Sequence, residues 1–171
     1  LGVPLSVWQL QAHHEMGIFE AGISKPGEME KLGNIIQPTI GILANIGSAH
    51  DEGFASREEK VKEKIRLFAS AKVVIYCKDH TLNDQTLKQT ELPTLSWGFS
   101  STAGIQLKKE NAKFSVSFKG KSFTLSLPFS DKAWVENCFH CVALLVHLGY
   151  SPSQIQERIS SLQSVPMRLE L

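Results

Sequence analysis

Thr39-Ile-Gly-Ile-Leu-Ala-Asn-Ile-Gly-Ser-Ala-His-Asp-Glu-Gly-Phe54, running on into Ala55-Ser-Arg-Glu-Glu-Lys-Val-Lys-Glu-Lys-Ile-Arg-Leu-Phe68, decides the fold. Ile40 to Ile46 is an apolar run short enough for a buried strand. Gly47 breaks that run, and a loop carrying His50, Asp51 and Glu52 follows. Ser56 with Glu59 three residues on forms a capping box, which predicts a helix from Arg57 to Ser70. Within it Val61, Ile65 and Phe68 form one apolar stripe. A strand delivers a polar loop and a helix folds back over it. In open α/β sheets, loops at the carboxyl ends of strands are where ligands bind.

The flanking sequence extends this unit. Pro4 suits the first turn of a helix bearing Leu5 and Trp8. Met16 to Ala21 reads as a buried strand ending in the acid Glu20, followed by a loop from Gly22 to Gly27 and a short helix from Glu28 to Ile36. Lys72 to Cys77 is a third buried strand. The alternation predicts an α/β fold, a parallel sheet flanked by helices with right-handed crossovers. After a polar segment, Lys78 to Glu91, and a short strand at Thr94 to Trp97, the period changes to two. Ile105/Leu107, Phe114/Val116/Phe118 and Phe123/Leu125/Leu127 alternate with polar residues, with turns at Glu110-Asn111 and Lys119-Gly120. Residues 103–127 therefore read as a small antiparallel β meander. Ser130-Asp131 opens a long helix to Leu148, which Gly149 closes. Ser151, Pro152 and Gln154 open a last one with Ile155, Ile159 and Leu162 on one face.

At 171 residues the chain fits one ordinary domain. Eighteen Lys and Arg against 17 Asp and Glu leave a net charge of +1, which argues against a nucleic-acid-binding surface. No stretch reads as a membrane span or a signal peptide. Three cysteines suit a reducing, cytoplasmic compartment. The first residue is Leu and a helical pattern begins at once, so the chain is expected to be cut from something longer.

Several residues are candidates for chemistry. Gly120-Lys121-Ser122 has the ending of a phosphate loop, but Ser115 stands where the motif needs Gly, and alternating strands flank it, so it reads as a hairpin turn. Cys138 and Cys141 with His140 lack a second ligand cluster and read as buried free cysteines. Asn137 and His140 lie at i and i+3 on an apolar helix, where a solvated stripe and a ligand contact are both open. Glu20 is either solvated at a sheet edge or faces the ligand crevice, where a carboxylate suits Mg²⁺. His50 is a surface loop histidine or part of that crevice, and Lys64, beside the apolar stripe, is ordinarily a solvated lysine. The three can converge on one crevice, and Lys64 could then join a metal site only if its charge were neutralised or reversed.

At these residues the sequence resembles the Mur ligase family, ATP-dependent amide-forming enzymes of peptidoglycan synthesis. Phe19-Glu20-Ala21-Gly22 is similar to the family's magnesium-binding Glu segment. Asn45-Ile46-Gly47-Ser48-Ala49-His50 is similar to its Asn…His segment. Lys64-Ile65-Arg66-Leu67-Phe68 is similar to the helix whose lysine is carbamylated, which would answer the charge problem. Glu136-Asn137-Cys138-Phe139-His140 resembles the helix start that approaches the nucleotide, with His140 in place of an Asn. Arg168-Leu169-Glu170 resembles the segment whose Arg reaches the ATP phosphates. Gly2-Val3-Pro4-Leu5-Ser6 and Lys25-Pro26-Gly27-Glu28-Met29 resemble the branch that adds D-alanyl-D-alanine, some chains of which are fused to an alanine racemase.

The resemblance implies the P-loop-like central ATPase domain over residues 1–168, with 169–171 starting the linker to a further domain. It implies ATP and two Mg²⁺ ions as cofactors, with Glu20, His50 and carbamylated Lys64 holding metal. Lys64 and His50 would serve catalysis, and Asn45, Asn137, His140 and Arg168 would serve the nucleotide. The implied partners are UDP-MurNAc-tripeptide and D-alanyl-D-alanine. The family's Gly-rich phosphate loop is expected upstream of Leu1, so the fragment alone is expected to be inactive. The alternatives are another ligase of the superfamily, such as a folylpolyglutamate synthase, and a catalytically silent scaffold.

Overall fold

The computed structural model describes residues 2–47 and 51–163. His50 and Arg168 lie outside the described residues. The chain forms two compact units, Leu1–Thr94 and Leu95–Leu171.

In the first unit the expected strand–helix–strand element is present. Strand β1 (Ile40–Leu43) pairs in parallel with β2 (Val73–Cys77), in the register Ile40 to Val73 through Leu43 to Tyr76. The connecting helix lies third in the chain, after α1 (Gly2–Trp8) and α2 (Glu28–Ile36), and is α3 (Arg57–Arg66). Ser56 caps α3 as the sequence predicts, its side chain accepting from the Glu59 backbone N–H. Leu43, Val61, Ile65, Phe68, Ala71, Val74, Tyr76 and Leu87 form the core. All five residues of β2 are buried, as expected of a strand covered on both faces. Gly41 is what lets the Phe68 ring lie against β1, because a Cβ there would run into the ring.

Three expectations are corrected here. Met16 to Ala21 forms no strand: the segment is irregular, with Met16 59% and Ile18 86% exposed. A strand is stable only when a neighbour takes its backbone hydrogen bonds, and no described residue pairs with this one. β1 stops at Leu43 rather than Ile46. The α3 helix stops at Arg66 rather than Ser70, and the chain tightens into i to i−3 hydrogen bonds, from Leu67 N–H to Lys64 and from Phe68 N–H to Ile65.

The segment read as merely polar contains a helix, α4 (Thr81–Leu87). It buries Asn83, Asp84, Thr86 and Leu87, so no apolar stripe betrays it. Asp84 accepts from the Tyr76 hydroxyl at 2.7 Å and from Lys88 Nζ at 2.6 Å. Burial works to raise its pKa, but the bonds from Lys88 and Tyr76 outweigh that and hold the carboxyl below its ordinary 3.8.

The second unit carries the meander. Strands β3 (Thr94–Gly98) and β4 (Ile105–Glu110) meet in parallel at Trp97 and Ile105. β4, β5 (Lys113–Phe118) and β6 (Lys121–Ser126) are antiparallel, with turns where the sequence placed them. Lys119 and Gly120 both have positive φ, 49° and 76°, the signature of a tight two-residue hairpin turn. The Gly-Lys-Ser triplet is thus a hairpin. Helix α5 (Lys132–His147) is capped by Asp131, and α6 (Pro152–Ser160) by the complete Ser151/Gln154 capping box. Ile155 and Ile159 are buried, whereas Leu162 falls beyond the helix and is 45% exposed.

Two outcomes test this packing. Gly41→Ala should lower stability by about 1–3 kcal/mol by overpacking, read as a lower urea midpoint; an unchanged midpoint would mean Phe68 does not lie against β1. Because the native Asp84 pKa is depressed, its contribution is fully present above the unfolded value of 3.8 and fades as pH falls through the native value. Asp84→Asn should therefore flatten the acid limb of the stability–pH curve.

Candidate functional site

Three sequence-predicted residues sit in described parts of the first unit. Glu20 is exposed in the irregular segment before α2, and Asn45 is exposed two residues past the end of β1. Lys64 is half-buried in the last turn of α3. Burial first, and then the positive charge of Lys60 one turn back, hold its ammonium below the ordinary lysine range. That raises the share of neutral, nucleophilic amine.

Sequence reading missed two neighbours. Lys60 and Glu63 are 2% and 3% exposed, both on α3 beside Lys64. Lys60 Nζ donates to the Gly47 carbonyl at 2.9 Å, tying α3 to the segment that carries Asn45. Glu63 Oε1 accepts from the backbone N–H groups of Gly27 at 2.6 Å and Met29 at 3.2 Å, and its Oε2 from Arg66 at 3.0 Å. Gly27, at φ 83°, is the N-cap residue of α2 and has no side chain to cap with. Glu63 supplies the carboxylate instead, at the positive end of the α2 dipole. In the same loop Glu28 accepts from the backbone N–H groups of Ser24 and Lys25, and those bonds hold its carboxyl below the usual range. The only signal in the sequence was spacing, since Lys60, Glu63 and Lys64 fall within one turn.

In the second unit, Asn137 is exposed on α5 while His140, three residues on, is 4% exposed. The Trp97 indole N–H donates to His140 Nδ1 at 3.1 Å, and indole can only donate, so the ring proton of neutral His140 sits on Nε2. Phe139 packs beside them, its ring centroid 5.8 Å from that of Trp97 and 5.0 Å from that of Phe114. Burial, and next the neighbouring Cys141, push the Cys138 thiol up to about 12, far from the thiolate a metal would need. All three cysteines are free. Among the described residues no three His, Cys, Asp or Glu side chains cluster to hold a metal ion.

The donors nonetheless suit a hard cation in kind. Glu20 offers carboxylate oxygens, and Lys64 would offer an oxygen once its amine carried a carboxyl group.

A family model, the Mur ligase middle domain, matches residues 1–145, and the chain belongs to that family. Among its relatives is the UDP-N-acetylmuramoyl-tripeptide--D-alanyl-D-alanine ligase of Bacillus subtilis, 27% identical over 100% of this chain and 38% of that protein. The enzyme of the same name from Buchnera aphidicola subsp. Acyrthosiphon pisum is 33% identical over 99% of this chain and 40% of its own length. The chain thus spans about two fifths of these relatives. MurF from Acinetobacter baumannii superposes on 96% of this chain and 38% of its own, with a TM-score of 0.78 at 21% identity. Escherichia coli FolC in complex with DHPP and ADP covers 75% of this chain and 31% of its own, with a TM-score of 0.58 at 18% identity. At such identities the likeness concerns the fold.

Trp97→Phe should destabilise the second unit by about 1–3 kcal/mol, because His140 Nδ1 would be left without its donor. Asn137→Ala, at an exposed position, should leave the denaturation midpoint within about 0.5 kcal/mol of the parent. Equal effects of the two would contradict this division of roles.

Proposed function

We propose that this chain is the central nucleotide-binding part of a cytoplasmic ligase that joins D-alanyl-D-alanine to UDP-MurNAc-tripeptide at the expense of ATP. The observation that supports it best is that relatives aligned over 99% or more of the chain, from Bacillus, Buchnera and Escherichia, bear that one enzyme's name. In the reaction the tripeptide's terminal carboxylate attacks the γ-phosphorus of ATP and ADP leaves. The dipeptide amine then attacks the acyl carbon, loses a proton, and phosphate departs.

In this reading Lys64 acts after its neutral amine adds to carbon dioxide: an N–C bond forms, the nitrogen releases a proton, and an anionic carbamate remains. The lowered pKa of Lys64 supports that step by populating the free amine. Glu20, His50 and the Lys64 carbamate would hold two Mg²⁺ ions, which neutralise phosphate charge as it moves. Asn45 borders that site, and Asn137 and Arg168 contact the nucleotide. His140, buried against Trp97, supports the helix that presents Asn137. A folylpolyglutamate synthase is the second reading, and the weaker likeness to FolC is what favours it.

The test uses the intact protein. ATP, Mg²⁺, UDP-MurNAc-tripeptide and D-alanyl-D-alanine should release phosphate. Lys64→Ala should cut that rate by about 10²-fold or more, with partial recovery when a short-chain carboxylate is added. Turnover with folate substrates and none with the UDP-sugar peptide would replace this reading with the second.

A further inference from the structure

α3 buries two opposite charges within one turn of Lys64: Lys60 reaches another segment, and Glu63 binds both another segment and Arg66 of its own helix. Burying an ion is costly unless it is hydrogen-bonded, and apolar residues of similar size often serve stability equally well. What Lys60 and Glu63 add is direction. The Lys60 ammonium donates to the carbonyl of Gly47, two residues after Asn45. The Glu63 carboxylate takes two backbone N–H groups, of Gly27 and Met29, at the end of the loop that follows Glu20. Further along the chain, Gly53 lies against the loop that ends at Gly27, because a Cβ there would run into the Ser24 carbonyl oxygen. Apolar contacts are non-directional, whereas hydrogen bonds such as these, of 2.6 and 2.9 Å, constrain both distance and angle.

We propose that Lys60 and Glu63 are positioning residues that set the spacing between the Glu20 segment, the Asn45 segment and the Lys64 amine. The inference rests on the proposed function and goes beyond it, since that reading gives neither residue a part in holding metal or nucleotide. Gly47 is exposed, so water can satisfy its carbonyl when the Lys60 donor is removed, and the fold should survive that loss.

The experiment uses the full-length protein with Lys60→Met, Lys60→Arg, Glu63→Leu and Glu63→Gln. Mn²⁺ binding in the presence of ATP is followed by electron paramagnetic resonance, backbone hydrogen exchange over residues 27–29 and 45–47, and Tm by calorimetry. Groups that orient a metal ligand typically contribute 10–100-fold to affinity. Lys60→Met should therefore weaken Mn²⁺ binding by about 10-fold or more, speed exchange at 45–47, and move Tm little. Lys60→Arg, which keeps a donor, and Glu63→Gln, which keeps an acceptor, should recover much of the affinity. Glu63→Leu should speed exchange at 27–29. If Lys60→Met does not fold, Lys60→Gln takes its place. Faster exchange with unchanged Mn²⁺ affinity, or unchanged exchange, overturns the inference alone. No Mn²⁺ binding by the unsubstituted protein overturns the functional reading and this inference with it.

Discussion

A carboxylate with almost no contact with water, that of Glu63, sits against the N-terminus of a helix it does not belong to. Hydrogen bonds to a charged group contribute about 1.5–3 kcal/mol, more than neutral ones, and here two converge on one oxygen. The arrangement solves a local problem. α2 begins at a glycine in the left-handed region, which bends the chain sharply but offers no capping side chain. The missing cap comes from α3, 34 and 36 residues away in sequence. The order of the loop after Glu20 therefore depends on α3 being in place.

α3 is in turn held by the core beneath it. Val61, Ile65 and Phe68 bury one stripe against β1 and β2, and the absence of a side chain at Gly41 brings the aromatic ring onto the strand. Lys60, Glu63 and Lys64 stand beside that stripe. Lys60 and Glu63 spend their charge on backbone groups of neighbouring segments, while Lys64 feels burial and a like charge. The same helix thus carries core residues, buried charges and a half-buried lysine on adjacent positions of its surface.

The second unit uses a different device. Trp97, Phe139 and Phe114 pack in succession, and a histidine serves Trp97 as hydrogen-bond acceptor. A buried indole N–H needs a partner, and His140 provides one without introducing a charge. The helix that carries His140 also presents Asn137 outward, so the packed and exposed faces of α5 divide these two residues.

Local chemistry in the sequence was enough to place most elements. Capping residues marked the starts of α3, α5 and α6, period-two alternation marked the meander, and the Lys119-Gly120 turn marked its hairpin. These signals act over a few residues, so they survive without knowledge of the fold. The candidate site was legible as residue types in family-like segments, Glu20, Asn45, Lys64 and Asn137 among them. Only tertiary structure decided the rest. The run from Met16 to Ala21 has strand composition but no paired neighbour among the described residues, and a strand is a property of a pair. α4 reads as polar because Asp84 and Thr86 are buried through hydrogen bonds, with Leu87 the apolar residue it adds to the core. Lys60 and Glu63 look like ordinary solvated helix charges until partners 13 and more than 30 residues away bury them, because burial is set by what packs against a residue and not by the residue itself.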